Sequence, residues 1–316
     1  MDTAYLDPSE IEYVEELLEV QRKAELEEDA RYLEEDLYEF IAAAWHIVEP
    51  DTPFVHAWHI EGMCEHLEAV ARGEIKRLYI TMPPGHAKTM VCSVMFPAWL
   101  WCKQPGLRLL TASYDRGFAE RDAAASLAII ESDWYQARWP LRIDSNTRSK
   151  KRFANEARGY RVTTTPGGAT TGEGGGLVIV DDPISMKDVE SPAKRKAALH
   201  WWRNVLPTRI RNHAPGAIVM VGQRGHDTDP IGAALKQNLP GSVHFNLPAK
   251  YDPQYRVDTK WYVDPRTKRG ELLWPEVYGK QQMTALTSQM DAFAVASQLQ
   301  QTPEVDGGAI IKRVWW

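Results

Sequence analysis

The chain of 316 residues is poor in cysteine, with Cys64, Cys92 and Cys102 as its three examples. Three scattered cysteines argue against a disulfide framework and against a zinc site. No apolar run reaches the roughly 18 residues that a membrane helix requires, so we expect no membrane partner. The first ten residues, MDTAYLDPSE, lack the basic and apolar regions of a signal peptide. These absences predict a protein of an intracellular, reducing compartment.

The charge is distributed unevenly along the chain. The formal net charge is −6, but residues 1–50 carry 16 acidic and 3 basic side chains. The remainder carries 27 acidic and 34 basic side chains, a net charge of +7. The acidic total therefore does not exclude a nucleic-acid partner for the body of the protein.

Residues 9–46 are predicted to form a helix, and residues 1–50 an acidic helical arm. Ser9 and Glu12 match a capping box. Apolar residues then recur near the helical period, at Ile11, Val14, Leu17 and Leu18. The acidic stretch 24–36 is expected to be solvated, and docking of the arm on a basic partner stays an alternative.

Beyond Pro53, short apolar runs alternate with helical patterns. Continuous Val, Ile and Leu runs are typical of strands that are buried on both faces of a parallel sheet. The predicted strands are 77–81, 108–113, 159–165, 176–182, 217–224 and 243–248, and the predicted helices include 88–103, 116–131, 190–206 and 277–301. This order predicts an α/β fold with a central, mostly parallel sheet flanked by helices. We expect a core over 51–250 and a lid or linker segment over 251–316.

The stretch TMPPGHAKT, residues 81–89, has the layout of a phosphate-binding loop between a strand and a helix. Backbone N–H groups of Gly85, His86 and Ala87, after a stiff entry at Pro84, would form an anion cradle. Lys88 would reach the phosphates of ATP and Thr89 would ligate Mg²⁺. In the usual pattern G-x-x-x-x-G-K-[ST], Met82 and Ala87 replace both glycines, so a structural turn is the alternative for this stretch alone. At a left-handed position Ala87 would cost about 1–2 kcal/mol.

The stretch GLVIVDDP ends a predicted buried strand in two carboxylates. This is the form of a Walker B strand, in which Asp181 would hold Mg²⁺ and Asp182 would orient the attacking water as general base. The alternative is a strand that ends in a turn with capping acids. The two motifs together favour a nucleoside triphosphatase with a P-loop.

A third predicted strand, in VMVGQRGHDTD, also ends in polar residues. Gln223 and Arg224 carry donors that suit contact with the γ-phosphate and coupling of hydrolysis to movement. The alternative is a surface loop.

Two basic stretches, residues 148–161 and 194–211, contain interleaved aromatic residues. Such stretches can track a phosphate backbone without sequence preference. Solvated helix faces and core tryptophans explain the same pattern, and both interpretations stay open.

The motifs taken in order resemble the ATPase domain of the large terminase subunit of tailed bacteriophages. The resemblance runs from about residue 50 to the end and is most specific over 76–125 and 165–235, and the segments 272–279 and 299–316 fit it as well. It implies a motor that uses ATP and Mg²⁺ to drive double-stranded DNA into a procapsid in the host cytoplasm. It also implies a portal protein, a small terminase subunit and a ring of identical subunits as partners.

The resemblance assigns roles by position. Lys88 and Thr89 would be the Walker A pair, Asp181 the magnesium ligand and Asp182 the catalytic carboxylate. Gln223 and Arg224 would couple hydrolysis to movement, and His59 would lie on the adenine side.

The chain departs from the family pattern at its arginines. Family members often carry arginine inside the P-loop and in the glycine-rich stretch before Walker B, where this chain has Gly85 and Glu173. The arginine that stabilises charge in the transition state must therefore come from elsewhere, and Arg116 and Arg121 are the candidates.

The family usually ends in a nuclease domain, and the chain stops at Trp316 before such a domain could form. We therefore expect no nuclease activity from this chain. Two alternatives to a terminase motor stay open: a helicase-like DNA translocase, and a non-catalytic nucleotide-binding assembly module.

Overall fold

The computed structural model describes residues 8–168, 173–211 and 216–303, with side chains from residue 12 onward. Three features of the sequence lie outside the described residues. They are the Ser9 side chain of the predicted capping box, part of the glycine-rich stretch (169–172), and the tail from residue 304.

The described residues form one seven-stranded sheet in the order β3-β4-β2-β5-β6-β1-β7. All neighbouring strands pair in parallel except β3 with β4. The prediction of an α/β fold with a mostly parallel sheet is confirmed. The strands are β1 Arg77–Thr81, β2 Arg108–Ser113, β3 Arg152–Ala154, β4 Tyr160–Thr164, β5 Leu177–Asp181, β6 Ala217–Gly222 and β7 Ser242–Asn246.

Helices cover both faces of the sheet. No described helix combines the length and the apolar character that crossing a membrane would require. The α-helices are α1 Pro8–Glu35, α2 Leu37–Val48, α3 Trp58–Ala71, α4 Phe96–Lys103, α5 Arg116–Glu131, α6 Asp133–Gln136, α7 Pro192–His200, α8 Pro230–Gln237, α9 Lys280–Ser288 and α10 Ala292–Ala294. Shorter turns are π-helical (Met90–Met95, Trp201–Val205, Val295–Leu299) or 3₁₀ (Leu206–Arg209, Pro253–Tyr255).

The prediction of one helix over 9–46 is wrong, because the chain breaks at Asp36. The Asp36 side chain accepts a hydrogen bond from the Glu39 N–H and so caps a second helix, α2. The acidic stretch before the break is also not solvated throughout. Leu33 is buried, and its carbonyl accepts a hydrogen bond from Trp99 Nε1 at 2.9 Å. The division of the chain into arm, core and C-terminal segment stays a prediction.

Both faces of the central strands are buried, which explains their continuous apolar sequences. Alternate residues of β5 pack into two different clusters, Leu177 and Ile179 on one face and Val178 and Val180 on the other. The second cluster is covered by Trp201 and Trp202, which are themselves buried. These two tryptophans are therefore core residues and do not stack on a nucleic acid.

Candidate nucleotide-binding site

The loop of residues 82–89 leaves β1 and enters the helical segment that begins at Met90. Gly85 and Ala87 both adopt left-handed backbone conformations, with φ of 75° and 59°. The Nδ1–H of His86 donates to the Pro84 carbonyl at 2.8 Å and closes the loop. A non-glycine residue at such a φ is strained by about 1–2 kcal/mol, so Ala87 is a point of strain in this loop.

A cavity of about 790 Å³ opens over this loop. Residues of the loop form one wall, and Arg121 and Asp122 of α5 form part of another. The remaining wall is mainly apolar and aromatic: Trp45, Val48, Phe54, Val55, Ile60, Trp274 and Val277. A nucleotide consists of anionic phosphates and a largely apolar base. A cavity with an anion-binding wall and an apolar wall can accommodate both parts.

Strand order brings the predicted motifs to one edge of the sheet. β6 lies between β1 and β5, so the residues after β6 fall between the phosphate loop and the Asp181-Asp182 pair. The Lys88 side chain is buried and lowers the pKa of both carboxyl groups by its charge. Lys88, Asp181 and Asp182 therefore share one buried electrostatic environment.

Asp181 ends β5 beneath the phosphate loop. Its Oδ2 accepts a hydrogen bond from Ser93 Oγ at 2.9 Å, while its Oδ1 is buried without a hydrogen-bond partner. Burial and the charge of Asp182 raise the pKa of Asp181 to about 7, against the opposing effects of Lys88 and the Thr89 side chain. A carboxylate oxygen without a partner, close to Thr89, is available to a cation.

Asp182 has a left-handed backbone, with φ of 46°. Its N–H donates to the Val221 carbonyl at 2.8 Å, and its carbonyl accepts from the Tyr114 N–H at 3.0 Å. Burial raises the pKa of its carboxyl group, while Lys88 and a backbone hydrogen bond from Gln223 oppose the rise. A general base is most effective when its pKa lies near the pH of the reaction. The raised pKa of Asp182 therefore makes its carboxylate a more effective base at neutral pH.

Gln223 and Arg224 follow β6, but their side chains are held differently. The Gln223 amide oxygen is buried without a hydrogen-bond partner. The Arg224 guanidinium donates to Asp229 at 3.2 Å, and the Arg224 N–H donates to the Gln301 side chain at 2.9 Å. Gln223 is thus the residue with unused hydrogen-bonding capacity, and Arg224 connects β6 to the C-terminal segment.

His59 lies behind the phosphate loop and is fully buried. Its ring packs 5.8 Å from His86 and 5.0 Å from Trp274, measured between ring centroids. Burial, followed by the charges of His86 and Arg266, lowers the pKa of His59 to about 3. Among the described residues, the adjacent Ile60 lines the cavity in place of His59, so a contact of His59 with adenine stays a prediction.

The two candidate arginines occupy different places on α5. Arg121 lines the cavity, pairs with Asp122 at 2.8 Å and lies over the Phe118 ring at 5.1 Å. Arg116 pairs with Glu120 at 2.9 Å, away from the cavity. Arg121 is therefore the candidate that can reach a nucleotide bound by its own subunit.

Three buried polar residues near this site were not among the sequence-based candidates. They are Ser93, Asp122 and Arg161. Ser93 lies within a predicted helix, and helical periodicity gives no reason to single it out. Arg161 lies in the basic stretch 148–161, for which contact with solvent or with a nucleic acid is expected. The Arg161 side chain makes neither contact, because it is 1% exposed.

No protein-family model matches the chain, and no curated protein matches it either. Among solved structures, the chain is similar to an arginine-to-alanine variant of the large terminase ATPase domain of Thermus phage P74-26. The identity is 12% and the TM-score 0.48, covering 74% of this chain and 91% of that chain. It is also similar to the large terminase of HK97 bacteriophage, at 12% identity and a TM-score of 0.49, covering 84% of this chain and 54% of that chain. At this distance the residue roles rest on the site alone.

Proposed function

We propose that the chain is a Mg²⁺-dependent ATPase and that it forms the motor domain of a phage large terminase. The observation that carries the proposal is the shared buried environment of Lys88, Asp181 and Asp182 beside a cavity walled by the loop 82–89. An anion cradle, a buried cation and two carboxylates at one edge of a parallel sheet are the parts that phosphoryl transfer to water requires.

The described residues fit both ATP and Mg²⁺. Gly85 and Ala87 have left-handed backbone conformations, which would allow successive N–H groups to face one anion, as in phosphate-binding nests. The Asp181 Oδ1 without a partner and the neighbouring Thr89 hydroxyl supply oxygen ligands, which Mg²⁺ prefers. When bound, Mg²⁺ would offset the negative charge of the phosphates. Trp45, Phe54 and Trp274 offer an apolar wall to the base.

Hydrolysis would proceed by in-line attack of water on the γ-phosphate. Asp182 would orient that water and accept its proton, which its raised pKa favours. Lys88 and the loop N–H groups would stabilise charge on the phosphate oxygens. Arg121, at the cavity wall, would add positive charge once it leaves Asp122. Gln223 would donate from its side-chain NH₂ group to the γ-phosphate, and its unpartnered amide oxygen would accept a hydrogen bond from the attacking water.

Coupling to movement would run through the segment after β6. The Arg224 N–H donates a hydrogen bond to the Gln301 side chain in the C-terminal segment. Gln300, the residue before Gln301, accepts a hydrogen bond from the Lys250 N–H at 3.1 Å. A shift of Gln223 on loss of the γ-phosphate would therefore reach the C-terminal segment through its neighbour Arg224.

We propose double-stranded DNA as the partner and α7 with its following turns as the contact surface. Lys194, Lys196 and Arg203 are exposed there. In the other basic stretch, Arg161 is buried and Arg148 and Arg152 pair with acids, while Lys150, Lys151 and Arg158 stay exposed as a second basic surface. Cations without acidic partners gain most from neutralising DNA phosphates. A portal, a procapsid, a small terminase subunit, a ring of subunits and a site of action in the host cytoplasm belong to the same proposal.

Motor action can be tested by displacement of a third strand from a triplex on linear duplex DNA. A double-strand translocase displaces the third strand with ATP and leaves the duplex intact. Separation of the duplex would favour the helicase-like alternative, and ATP binding without turnover would favour the assembly module. Incubation of plasmid with Mg²⁺ or Mn²⁺ tests the expected lack of nuclease activity, which robust cutting would contradict.

The DNA surface can be tested by reversing Lys194 and Lys196 to glutamate together. We expect unchanged ATP turnover without DNA, weaker DNA binding and a salt dependence reduced by about one unit of slope for each lost phosphate contact. Reversal of Arg22 and Lys23, two exposed cations on α1, is the control with the same change of charge. Equal loss of DNA binding in both variants would refute the assignment to α7.

A further inference from the structure

Ser93 connects two buried parts of the molecule that lie on either side of it. Its Oγ donates to Asp181 Oδ2 at 2.9 Å. Its carbonyl accepts from Arg161 Nη2, on β4, at 2.7 Å. The exposed fractions are 3% for Ser93 and 1% for Arg161. One residue of the segment after the phosphate loop thus joins a carboxylate of β5 to a buried cation of β4.

Pro97 removes the donor that the Ser93 carbonyl would have in an α-helix. In an α-helix, the carbonyl of residue 93 would accept from the N–H of residue 97, which proline lacks, and the proline ring would clash with it. The segment Met90–Met95 is π-helical instead, and the Phe96 N–H donates to Val91, five residues back. π-Turns inside helices recur at functional sites. Arg161 supplies the donor that Pro97 cannot.

Arg161 is buried at a position where an apolar side chain would carry a smaller desolvation penalty. A fully buried cation carries a large desolvation penalty, and burial lowers the pKa of Arg161 to about 10, so it stays protonated at neutral pH. Its Nε lies 3.4 Å from Thr111 Oγ1, and its Nη1 is buried without a partner. The short bond to the Ser93 carbonyl is its one strong hydrogen bond among the described residues.

We propose that Ser93 and Arg161 are positioning residues for the Asp181 carboxylate. Arg161 fixes the turn that carries Ser93, and Ser93 occupies Oδ2 so that Oδ1 is the oxygen presented to a cation. This inference rests on the proposed function, in which Asp181 ligates Mg²⁺. Neither residue lines the nucleotide cavity, so both act on the metal-dependent part of nucleotide binding.

The test measures nucleotide binding with a fluorescent ATP analogue, first in EDTA and then in a titration with Mg²⁺. Ser93→Ala is expected to bind the analogue as the parent does in EDTA but to require about 10–100-fold more Mg²⁺, the usual loss when a residue that orients a metal ligand is removed. Ser93→Thr keeps the hydroxyl and should restore the parental Mg²⁺ dependence. Arg161→Met should shift the Mg²⁺ dependence in the same direction, and Arg161→Lys should shift it less.

Ser126→Ala is the matched control, because Ser126 is a fully buried serine on α5 whose hydroxyl has no partner. It should leave the Mg²⁺ dependence unchanged. A parental Mg²⁺ dependence in Ser93→Ala overturns the proposal, and in a folded Arg161→Met it overturns the role of Arg161. Should Arg161→Met not fold, Arg161→Lys tests the role of Arg161, and a parental Mg²⁺ dependence in it overturns that role, while Ser93→Ala still decides the role of Ser93.

Failure of the proposed function gives a different pattern. A parent that does not bind the analogue, or a Lys88→Ala variant that binds it equally well in EDTA, refutes the nucleotide site and the inference with it. Binding by the parent, together with an unshifted Ser93→Ala, refutes the inference alone.

Discussion

The Tyr278 hydroxyl fills the space beside Gly85. A Cβ atom on Gly85 would lie 1.9 Å from that oxygen, and the Tyr278 ring stacks on His86 with centroids 4.8 Å apart and planes inclined by 14°. Trp274, one turn earlier, packs against His59. The segment 274–278 therefore covers the phosphate loop. Residue 85 must be glycine for two reasons: its φ is left-handed, and the Tyr278 hydroxyl leaves no space for a Cβ atom.

Gly85→Ala should weaken ATP binding and destabilise the protein, because the new methyl group displaces Tyr278. Gly73→Ala is the control: Gly73 has φ of 77°, close to the 75° of Gly85, and its nearest neighbour atom is 3.5 Å away. Both variants share a backbone strain of about 1–2 kcal/mol. Urea unfolding and ATP titration should show a larger loss for Gly85→Ala, part of which Tyr278→Ala restores. Equal losses in the two alanine variants would mean that Tyr278 does not constrain the loop.

Ala87→Gly should relieve the loop. Removal of the methyl group at φ of 59° relieves strain in the folded state. The greater conformational freedom of glycine in the unfolded chain cancels part of this gain, so we expect a net increase in stability of up to about 1 kcal/mol. We expect faster ATP turnover as well, because the cradle then forms without strain. Arg158→Gly, at an exposed position with φ of 66°, should stabilise similarly and leave turnover unchanged. Slower turnover in Ala87→Gly would show that the strained loop is needed for hydrolysis.

Arg121→Ala should reduce ATP hydrolysis far more than Arg116→Ala. The two arginines are matched, since both lie on α5 with side chains 63% exposed and each pairs with an acid. Of these two arginines, Arg121 lines the cavity and Arg116 does not. An arginine that stabilises the transferring phosphoryl group increases the rate by about 10³–10⁵-fold. Steady-state turnover at saturating ATP measures the difference. A larger loss in Arg116→Ala would point instead to an arginine acting on a neighbouring subunit.

Stability should fall as the pH is lowered below about 6.5, the ordinary histidine pKa. The pKa of His59 in the folded protein is about 3, so between these values the unfolded chain binds a proton that the folded protein does not. The sign is therefore a loss of stability toward acid, of about 2 kcal/mol at pH 5 for one such histidine. His59→Phe should flatten the dependence of the free energy of unfolding on pH between 7 and 5.

His46→Phe is the control for this measurement, because His46 is exposed. The buried His86 and the half-buried His244, with pKa values lowered to about 4 and about 3, should keep part of the acid sensitivity in every variant. An unchanged pH dependence in His59→Phe would mean that His59 becomes protonated in the folded protein.

The sheet and the phosphate loop could be predicted from sequence because their signals are local. Buried strands are continuous apolar runs, and the loop has its own spacing of Gly85, Lys88 and Thr89 between a strand and a helix. The left-handed conformation anticipated for Ala87 is present. The break at Asp36 was missed because apolar residues continue on both sides of it with helical spacing.

The environment of Asp181 could not be predicted, because it depends on contacts between distant segments. Ser93 meets Arg161 only through the position of β4 beside β2 in the sheet. The sequence shows that Pro97 cannot donate to the Ser93 carbonyl. It does not show that Arg161 donates in its place. Arg161 stands among exposed lysines and arginines in sequence, and only the strand pairing places it inside.

Steady-state ATP turnover of the chain beside Lys88→Ala and Asp182→Asn, with Mg²⁺ and with or without double-stranded DNA, shows whether Lys88 and Asp182 form a hydrolytic site. We expect turnover by the parent, and a loss of about 10²–10⁴-fold in Asp182→Asn with unimpaired ATP binding, because a general base contributes that much. Lys88→Ala should lose both binding and turnover. Turnover that survives in both variants would contradict the account, because hydrolysis would then occur at some other site.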